Sequence, residues 1–369
     1  MTLNFQAALD SLGPGFAARI SREGRAPAEY HLAMLLPEQA RNTYSVDAAN
    51  MTVVPTMAGL TAMDSPYAPV GQVKLSTFLE KTAKITSKAK LSEEAQRELQ
   101  AIATRLAASG ASSSEAMAAE VLGFQSVILQ AHFDTAEYLR GQALFNGAID
   151  WTYGVQRVQV DYGVPAANKL TTRTGTAAYD GADTEFWADV REAQRLARYN
   201  VAEVIAHIDT LQAVIGNEAN GIEVTAQDGN YFTLSRLVGA NDRRSTDARD
   251  SLRVYGYGLE GSVIDPEDPT QTVDVPFVPK GKILFVGRAA RPAYRVGQGA
   301  QVPVTDSLAV GYHHIAPTVE GGGMPGRWSR VYSPEQTPYQ LFGEGVGNEL
   351  PVIESPQKLV ILSTEIGGA

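Results

Sequence analysis

One long helix limits what this chain can fold into. Between Glu115 and Leu144 the apolar residues recur at helical spacing, within an arc of roughly 140° at 100° per residue. At a rise of 1.5 Å per residue, a helix of about thirty residues spans roughly 45 Å. Asn146-Gly147 follows, and either residue can adopt the left-handed conformation that ends a helix. This pattern predicts a single long helix that crosses a large subunit, rather than one helix of a small globular domain.

Further helices are predicted before and after this long helix. Residues 91–108 carry a helical apolar stripe that begins behind Ser92, a favourable N-cap residue. Residues 184–216 carry a longer stripe, in which Phe186 and Val190 begin the apolar face. Asn200 is a candidate break that would divide this second region into two helices.

The remaining segments favour strands. Alternation around Val158 and Val160 predicts a strand pair after the long helix, and Asp228-Gly229 is typical of a hairpin turn. Short strands are also predicted at 52–54, in RVYGYG, TVDVPFVP and GKILFVG, and in the apolar run KLVILS near the C-terminus. Residues 287–350 contain many Gly and Pro residues and few periodic runs. Helices and strands in separate stretches predict an α+β fold.

Composition excludes several classes of site. The 369 residues are 44% hydrophobic and 20% charged, which is enough apolar material for a sizeable core. The absence of Cys excludes disulfides, thiol catalysis and Cys-ligated zinc. A formal net charge of −10 disfavours tight general binding to nucleic acid, which requires clustered Lys and Arg. The acidic balance is typical of an ordinary soluble surface, and would also suit the inner wall of a DNA container.

Neither a signal peptide nor a membrane helix is expected. The N-terminus lacks a basic region followed by an apolar core, and no apolar run reaches the roughly 18 residues that a membrane helix needs. The chain is therefore expected to be cytoplasmic when it is made.

No motif in the sequence predicts catalysis, a metal or a cofactor. His132 and His207 lie near apolar helical stripes and are interpreted as core or boundary residues. His313 and His314 are adjacent in a strand or loop, so their side chains point in opposite directions. The metal-binding HExxH spacing, the phosphate-binding Gly-x4-Gly-Lys loop and the Gly-x-Ser-x-Gly nucleophile motif do not occur.

Two charged segments are candidate interaction surfaces. Residues 74–90 contain five Lys and one Glu, among them Lys74, Lys81, Lys84 and Lys88. This stripe is either a solvated hairpin edge, where Lys discourages unwanted strand pairing, or a surface that docks on an acidic neighbour. Residues 241–250 mix three Arg with three Asp, either as a solvated loop of compensating charges or as an ion-pair patch between subunits. The candidate residues of this second segment are Arg243, Arg244, Asp247 and Arg249.

Several diffuse motifs together resemble the lambda-type major capsid proteins of tailed phages, the capsid protein E family. They are LLPEQARNTYSVDAANMTVVP at 35–55, GQVKLSTFLEKTAKIT at 71–86, LRGQALFNGAIDW at 139–151, VDYGVP at 160–165, TEFWADVREA at 184–193, VPKGKILFVG at 278–287 and ESPQKLVILSTE at 354–365. The order of elements, with a loop hairpin and a Lys-rich strand before a helix, also resembles this family and favours the docking interpretation of the Lys stripe.

The resemblance implies a Hong Kong ninety-seven-type capsid fold. Its expected parts are an N-terminal arm (1–30), an extended loop hairpin (31–90), a peripheral domain with the spine helix (91–183), a mostly axial domain (184–330) and C-terminal strands that return to the peripheral domain (331–369). The implied function is self-assembly as hexamers and pentamers into an icosahedral shell that packages the double-stranded DNA of a tailed phage. The protein is then expected in the virion, after assembly in the host cytoplasm.

The resemblance also implies partners. Because the chain begins at Met1 without a long cleavable leader, a separate scaffold protein is expected, with a portal and a possible decoration protein. Contact with packaged DNA is expected to be loose and non-specific. No cross-linking Lys–Asn pair is identified, so non-covalent assembly is predicted. Two alternatives stay open at this point: another phage structural subunit, of a tube or sheath, and a soluble enzyme whose site is not recognised.

Overall fold

The computed structural model describes residues 30–54, 72–91, 94, 97–98, 101, 113–153, 156–238, 243–264, 271–288, 295–296, 300–301, 308–332 and 341–366. Its named helices are α1 (Leu32–Leu35), α2 (Ser113–Asn146), α3 (Phe186–Leu196) and α4 (Ile208–Gly216). The strands are β1 (Glu38–Ala40), β2 (Ser45–Val54), β3 (Gln72–Lys81), β4 (Ala83–Leu91), β5 (Ala148–Tyr153), β6 (Gln156–Asp161), β7 (Val201–His207), β8 (Ile222–Asp228), β9 (Tyr231–Val238), β10 (Arg243–Arg244), β11 (Ser251–Tyr257), β12 (Glu260–Ile264), β13 (Thr272–Pro276), β14 (Lys282–Gly287), β15 (Arg295–Val296), β16 (Ala300–Gln301), β17 (Gly311–Ala316), β18 (Trp328–Tyr332), β19 (Leu341–Ile353) and β20 (Leu359–Ser363).

Helix α2 is the predicted long helix. It has 34 residues, which corresponds to a length of roughly 50 Å. It ends at Asn146, and Gly147 has a φ of +64°, so the predicted Asn-Gly stop is confirmed. Gly141 lies where a Cβ would come within 1.8 Å of the Phe277 carbonyl oxygen. Glycine at this position therefore allows the chain after β13 to pack directly against the helix backbone.

A five-stranded sheet packs against one side of α2. Strand β19 lies at its centre, with β4 along one edge and with β18 and β17 along the other, and β1 extends β17 in parallel. In β4, Ile85 is buried and Lys84 and Lys88 are exposed, as the predicted alternation requires. An ideal Cβ on Gly345 of β19 would meet Ile128 of α2, so the odd-numbered residues of β19 face the helix.

A seven-stranded sheet forms the second layer. Its strand order is β10-β9-β11-β7-β14-β20, and β8 pairs with β9. One face packs on α3 and α4 through residues such as Val190, Leu211 and Phe285. The other face contributes Ile205 and Leu284 to the core that contains α2. The long helix therefore contributes to one core that both sheets share.

The predicted helical region 184–216 needs a correction. Helix α3 ends at Leu196, and residues 201–207 form strand β7, so Val201 and Val204 do not continue a helical face. Arg198 and Tyr199 both have a φ of 55°, and the Tyr199 amide bonds to the Gln194 carbonyl, which closes the helix before Asn200. β7 is rich in β-branched residues and lies between β11 and β14, where both faces are buried and a strand signal does not alternate.

The Gly- and Pro-rich region 287–350 contains strands that its weak periodicity does not predict. Residues 311–316, 328–332 and 341–353 form β17, β18 and β19 of the five-stranded sheet. β19 carries glycines at 343, 345 and 347, and the helix packs against the odd-numbered face of this segment. Glycine normally weakens a strand signal, but here it allows the close approach of α2.

Other predicted elements agree with the structure. β8 and β9 form the hairpin about Asp228-Gly229, β5 and β6 form the strand pair after α2, and GKILFVG and KLVILS are β14 and β20. The predicted arm 1–30 lies outside the described residues except for Tyr30. Of the helix predicted over 91–108, residues 94, 97, 98 and 101 are helical, but Leu91 is the last residue of strand β4, so the helix begins later than predicted.

Candidate assembly surfaces and the buried ion-pair network

The Lys-rich stripe lies on two consecutive strands. Lys74 is in β3, where its register partner is Thr52 of β2, and Lys81 is the last residue of β3. Lys81 is exposed. These two lysines therefore belong to the β2–β3 hairpin, which is a separate two-stranded sheet from the one that β4 joins.

The lysines of β4 have acidic partners within the same subunit. The Lys84 ammonium lies 2.6 Å from a carboxylate oxygen of Glu320, and the Lys88 ammonium lies 3.5 Å from Glu344. Both lysine side chains remain more than half exposed. Exposed pairs of this kind contribute little to stability and leave the cations accessible to a further partner.

The charged segment 241–250 also forms ion pairs within its own subunit. Arg244 binds both carboxylate oxygens of Glu223, at 2.6 and 2.8 Å. Arg249 hydrogen-bonds Asp247 and lowers the pKa of that carboxyl to about 2. Arg243 lies in β10, where its register partner is Val238. Within the segment the pair is Arg249–Asp247, whereas the partner of Arg244 lies outside it.

A buried ion-pair network connects α2 with the five-stranded sheet. Arg327, which precedes β18, donates to both carboxylate oxygens of Glu349 at 2.6 Å and to Glu38 at 2.8 Å. His313 of β17 completes this end of the network, with its Nε2 2.9 Å from Glu349. Arg327 is 4% exposed, and Glu349 and His313 are fully buried.

The same network continues into the helix. Arg140 donates to Glu137 at 3.0 Å, one helical turn away, and to Glu38 at 3.2 Å. The second oxygen of Glu137 accepts bonds from the Tyr257 hydroxyl at 2.7 Å and from the Leu32 backbone amide at 3.0 Å. Because Tyr257 belongs to β11, the network joins both sheets through α2.

Burial and charge set the protonation states of the network. Burial, together with the nearby Arg140, lowers the pKa of His313 to about 4, although its bond to Glu349 acts in the opposite direction. Burial alone would raise the pKa of Glu349, but Arg327 and the His313 hydrogen bond outweigh it and hold this pKa well below its usual range. At neutral pH His313 is therefore a neutral imidazole beside the ionised carboxylate of Glu349.

No member of this network is predicted from the sequence to be a site residue. Glu137 and Arg140 have the i, i+3 spacing of a helical ion pair, and this was the one local signal available. Glu38, Arg327 and Glu349 are distant in the sequence and meet only when β1, β18 and β19 assemble. His313 and His314 do point in opposite directions, since His314 bonds the Thr43 carbonyl on the other side of the sheet.

Among the described residues, no group of three or more His, Asp or Glu side chains could hold a metal ion. Within the same ranges, no helix is both long and apolar enough to cross a membrane.

Comparison with solved structures identifies the fold. The proposed capsid protein of a prophage in E. coli CFT073 matches with a TM-score of 0.54 at 11% identity, over 99% of this chain and 100% of the other. A procapsid chain of satellite phage P4 matches with a TM-score of 0.48 at 11% identity, over 100% and 93% of the two chains. A phage-related protein from Bordetella bronchiseptica RB50 matches with a TM-score of 0.47 at 11% identity, over 94% and 95%. The α+β architecture is that of the Hong Kong ninety-seven capsid fold, which confirms the predicted fold class.

Comparison at the level of sequence identifies the family. The search of curated proteins gives no match. The family described as phage major capsid protein E matches residues 26–295, which is most of the chain. The chain therefore belongs to the phage major capsid protein E family, and it is a structural subunit of a phage capsid in the virion.

Proposed function

We propose that this chain assembles as hexamers and pentamers that close into an icosahedral shell around the double-stranded DNA of a tailed phage. The observation that carries this proposal is the long helix α2, which the buried ion pairs fix to both sheets. A subunit braced in this way can transmit contacts across its whole length without bending. Repeated use of one heterologous contact between such subunits closes into rings.

The segments of the subunit are proposed to have the roles that they have in this family. Residues 1–30 would act as an arm, 31–90 as an extended loop, 91–183 as a peripheral domain and 184–330 mostly as an axial domain around the ring centre. Residues 331–369 would return to the peripheral domain. The two C-terminal strands join different sheets: β19 lies in the five-stranded sheet, whereas β20 lies in the seven-stranded sheet beside β14, a strand of the region 184–330.

Two charged surfaces are proposed to contact neighbouring subunits. The first consists of Lys74, Lys81, Lys84 and Lys88, and the second of Arg243, Arg244, Asp247 and Arg249. The exposure of Lys84 and Lys88 supports the first surface. Electrostatic contacts at such surfaces would set register and partner choice more than affinity.

Assembly is proposed to be non-covalent and to need other phage proteins. A separate scaffold protein, a portal and a possible decoration protein are the expected partners. Contact with DNA would be loose, because the net charge of −10 repels phosphates and keeps the polymer from adhering to the wall. The protein would have no catalytic role.

The tube or sheath alternative and the enzyme alternative make different predictions for the purified protein. Size-exclusion chromatography with light scattering, on the chain alone and co-expressed with neighbouring phage proteins, should show ring-sized or shell-sized species. A discrete monomer or dimer under every condition would contradict the proposal and favour an enzyme. Open-ended tubes by negative-stain microscopy, without closed shells, would favour a tube or sheath subunit.

A further inference from the structure

The face of the five-stranded sheet that points away from α2 is cationic. Alternation along β4 places Lys84, Lys88 and Lys90 on this face, and all three are exposed. Their register partners on β19 and the facing residues of β18 add one further cation, Arg330, which is 51% exposed. Among the described residues of this face, four cations stand against two carboxylates, those of Glu320 and Glu344.

Aromatic rings lie next to two of these cations, Arg330 and Lys88. The Arg330 guanidinium lies 4.6 Å from the centroid of the Tyr332 ring and 5.5 Å from that of the Trp328 ring. The Lys88 ammonium lies 4.9 Å from the centroid of the Phe342 ring. Stacking on rings restricts the side chains and lowers the entropy lost when a partner binds. We call this surface, formed by β4, β18 and residues 342–348 of β19, the cationic face.

The β12–β13 ribbon and the sequence that joins its two strands are acidic. Residues 260–274 contain five acidic residues and neither Lys nor Arg: Glu260, Asp265, Glu267, Asp268 and Asp274. Register pairing places Glu260, Ser262 and Asp274 on one side of the ribbon. Glu260 and Asp274 are exposed there, Glu260 as the first residue of β12 and Asp274 in the middle of β13, opposite Ser262.

The side of the ribbon opposite Glu260 and Asp274 packs against its own subunit at Gly261. An ideal Cβ on Gly261, which would lie on the opposite side, comes within 2.6 Å of the Phe277 ring. Phe277 in turn packs against α2 at Gly141. Since α2 covers the other face of the five-stranded sheet, the ribbon and the cationic face of one subunit lie on opposite sides of the helix–sheet layer.

We propose that the acidic side of the β12–β13 ribbon of one subunit docks on the cationic face of a neighbouring copy. This inference rests on the proposed assembly and names the acidic partner of its lysine surface. The charges are complementary, and the ribbon cannot reach the cationic face of its own chain. The two patches differ, so the contact is heterologous and can close a ring.

A charge swap tests this contact. The face variant carries Lys88→Glu and Lys90→Glu, the ribbon variant carries Glu260→Lys and Asp274→Lys, and the swapped variant carries all four changes. Each two-site variant should raise the subunit concentration needed for half-assembly by about tenfold or more, because like charges then meet across the contact. The swapped variant should recover assembly, since its charges are again opposite.

The controls separate this inference from the proposed function. Asp228→Lys adds the same kind of charge change at an exposed hairpin turn outside both patches and should assemble normally. Thermal unfolding of the face and ribbon variants should match that of the wild-type protein. Normal assembly of either two-site variant, or no recovery in the swapped variant, overturns the docking proposal. If the wild-type chain still forms shells, the proposed capsid function stands. Failure of the wild-type chain itself to form rings or shells overturns both.

Discussion

At the scale of single residues, the buried ions at the helix–sheet junction matter most. Arg327 bridges the fully buried carboxylate of Glu349 and the largely buried carboxylate of Glu38, whereas Arg330, three positions later, pairs with Glu344 in solvent. A buried ion pair adds little compared with a well-packed apolar replacement, but loss of one partner leaves an uncompensated buried charge. The network therefore fixes how α2 sits on the sheet more than it adds net stability.

Replacement of Arg327 by Met should destabilise the subunit strongly. Glu349 and Glu38 would lose their shared cation, and breaking a buried pair of this kind costs about 3–5 kcal/mol. Chemical denaturation of unassembled subunits measures the change. The matched control is Arg330→Met, whose exposed pair should be worth about 1 kcal/mol or less. Equal losses in the two variants would contradict the assigned role of the network.

Stability should fall as the pH decreases from about 6.5 to about 4. The pKa of His313 is lowered from 6.5 to about 4 in the folded protein, so below 6.5 the unfolded chain takes up a proton that the folded chain excludes. The lowered pKa of Glu349 acts in the same direction at still lower pH, from its ordinary value of 4.5 downward.

The variant His313→Gln isolates the first effect. Glutamine can still donate to Glu349 but does not titrate, so the slope of unfolding free energy against pH between 6.5 and 4 should become shallower. It should not vanish, because burial also lowers the pKa values of His132 and His207. Denaturant titrations at several pH values test this, and an unchanged slope would contradict it.

At the scale of elements, the sequence predicts what local patterns encode. Helix α2 and its Asn-Gly stop, the β8–β9 hairpin and the strands β14 and β20 all follow from periodicity and turn residues. β7 was predicted as helix because a strand buried on both faces carries no alternation. β17, β18 and β19 do not follow from the sequence because they lie in a Gly- and Pro-rich stretch with few periodic runs, and Gly345 of β19 serves the close approach of α2, which is a long-range requirement. The ion network could not be predicted, since its members meet only through the topology of the sheet.

Two glycines of α2 should respond in opposite ways to alanine. Gly141→Ala places a Cβ within 1.8 Å of the Phe277 carbonyl oxygen and must displace the chain after β13, so the subunit should lose stability. Gly123→Ala, on the same helix with nothing within 4 Å, should gain about 0.5–1 kcal/mol from the helix propensity of alanine. Thermal unfolding of the two variants compares them directly. A gain at both positions would show that the close packing of α2 on Phe277 is not required.

At the scale of the whole molecule, the subunit combines one shared core with two charged two-stranded ribbons outside the large sheets. Two sheets share one core with α2, and the β2–β3 hairpin and the β12–β13 ribbon form separate two-stranded units. This arrangement suits a protein whose partners are copies of itself. It also predicts that surface charge can be changed in the β2–β3 hairpin and the β12–β13 ribbon without loss of the fold.

Reversal of Lys74, Lys81 and Lys84 to Glu should block assembly and leave the subunit folded. The three changes remove the positive stripe that is proposed to dock on an acidic neighbour. The control replaces the same residues with Arg, which keeps the charge and should assemble. Circular dichroism checks the fold and sedimentation velocity measures assembly. Normal shells from the Glu variant would eliminate this surface as an assembly contact.

The most direct test of the account is cryo-electron microscopy of the particles that this chain forms with its neighbouring phage proteins. The account predicts a closed shell of five-fold and six-fold rings, with α2 unbroken from 113 to 146 in every subunit. A helical tube as the native particle, or a monomer under all conditions, would contradict it.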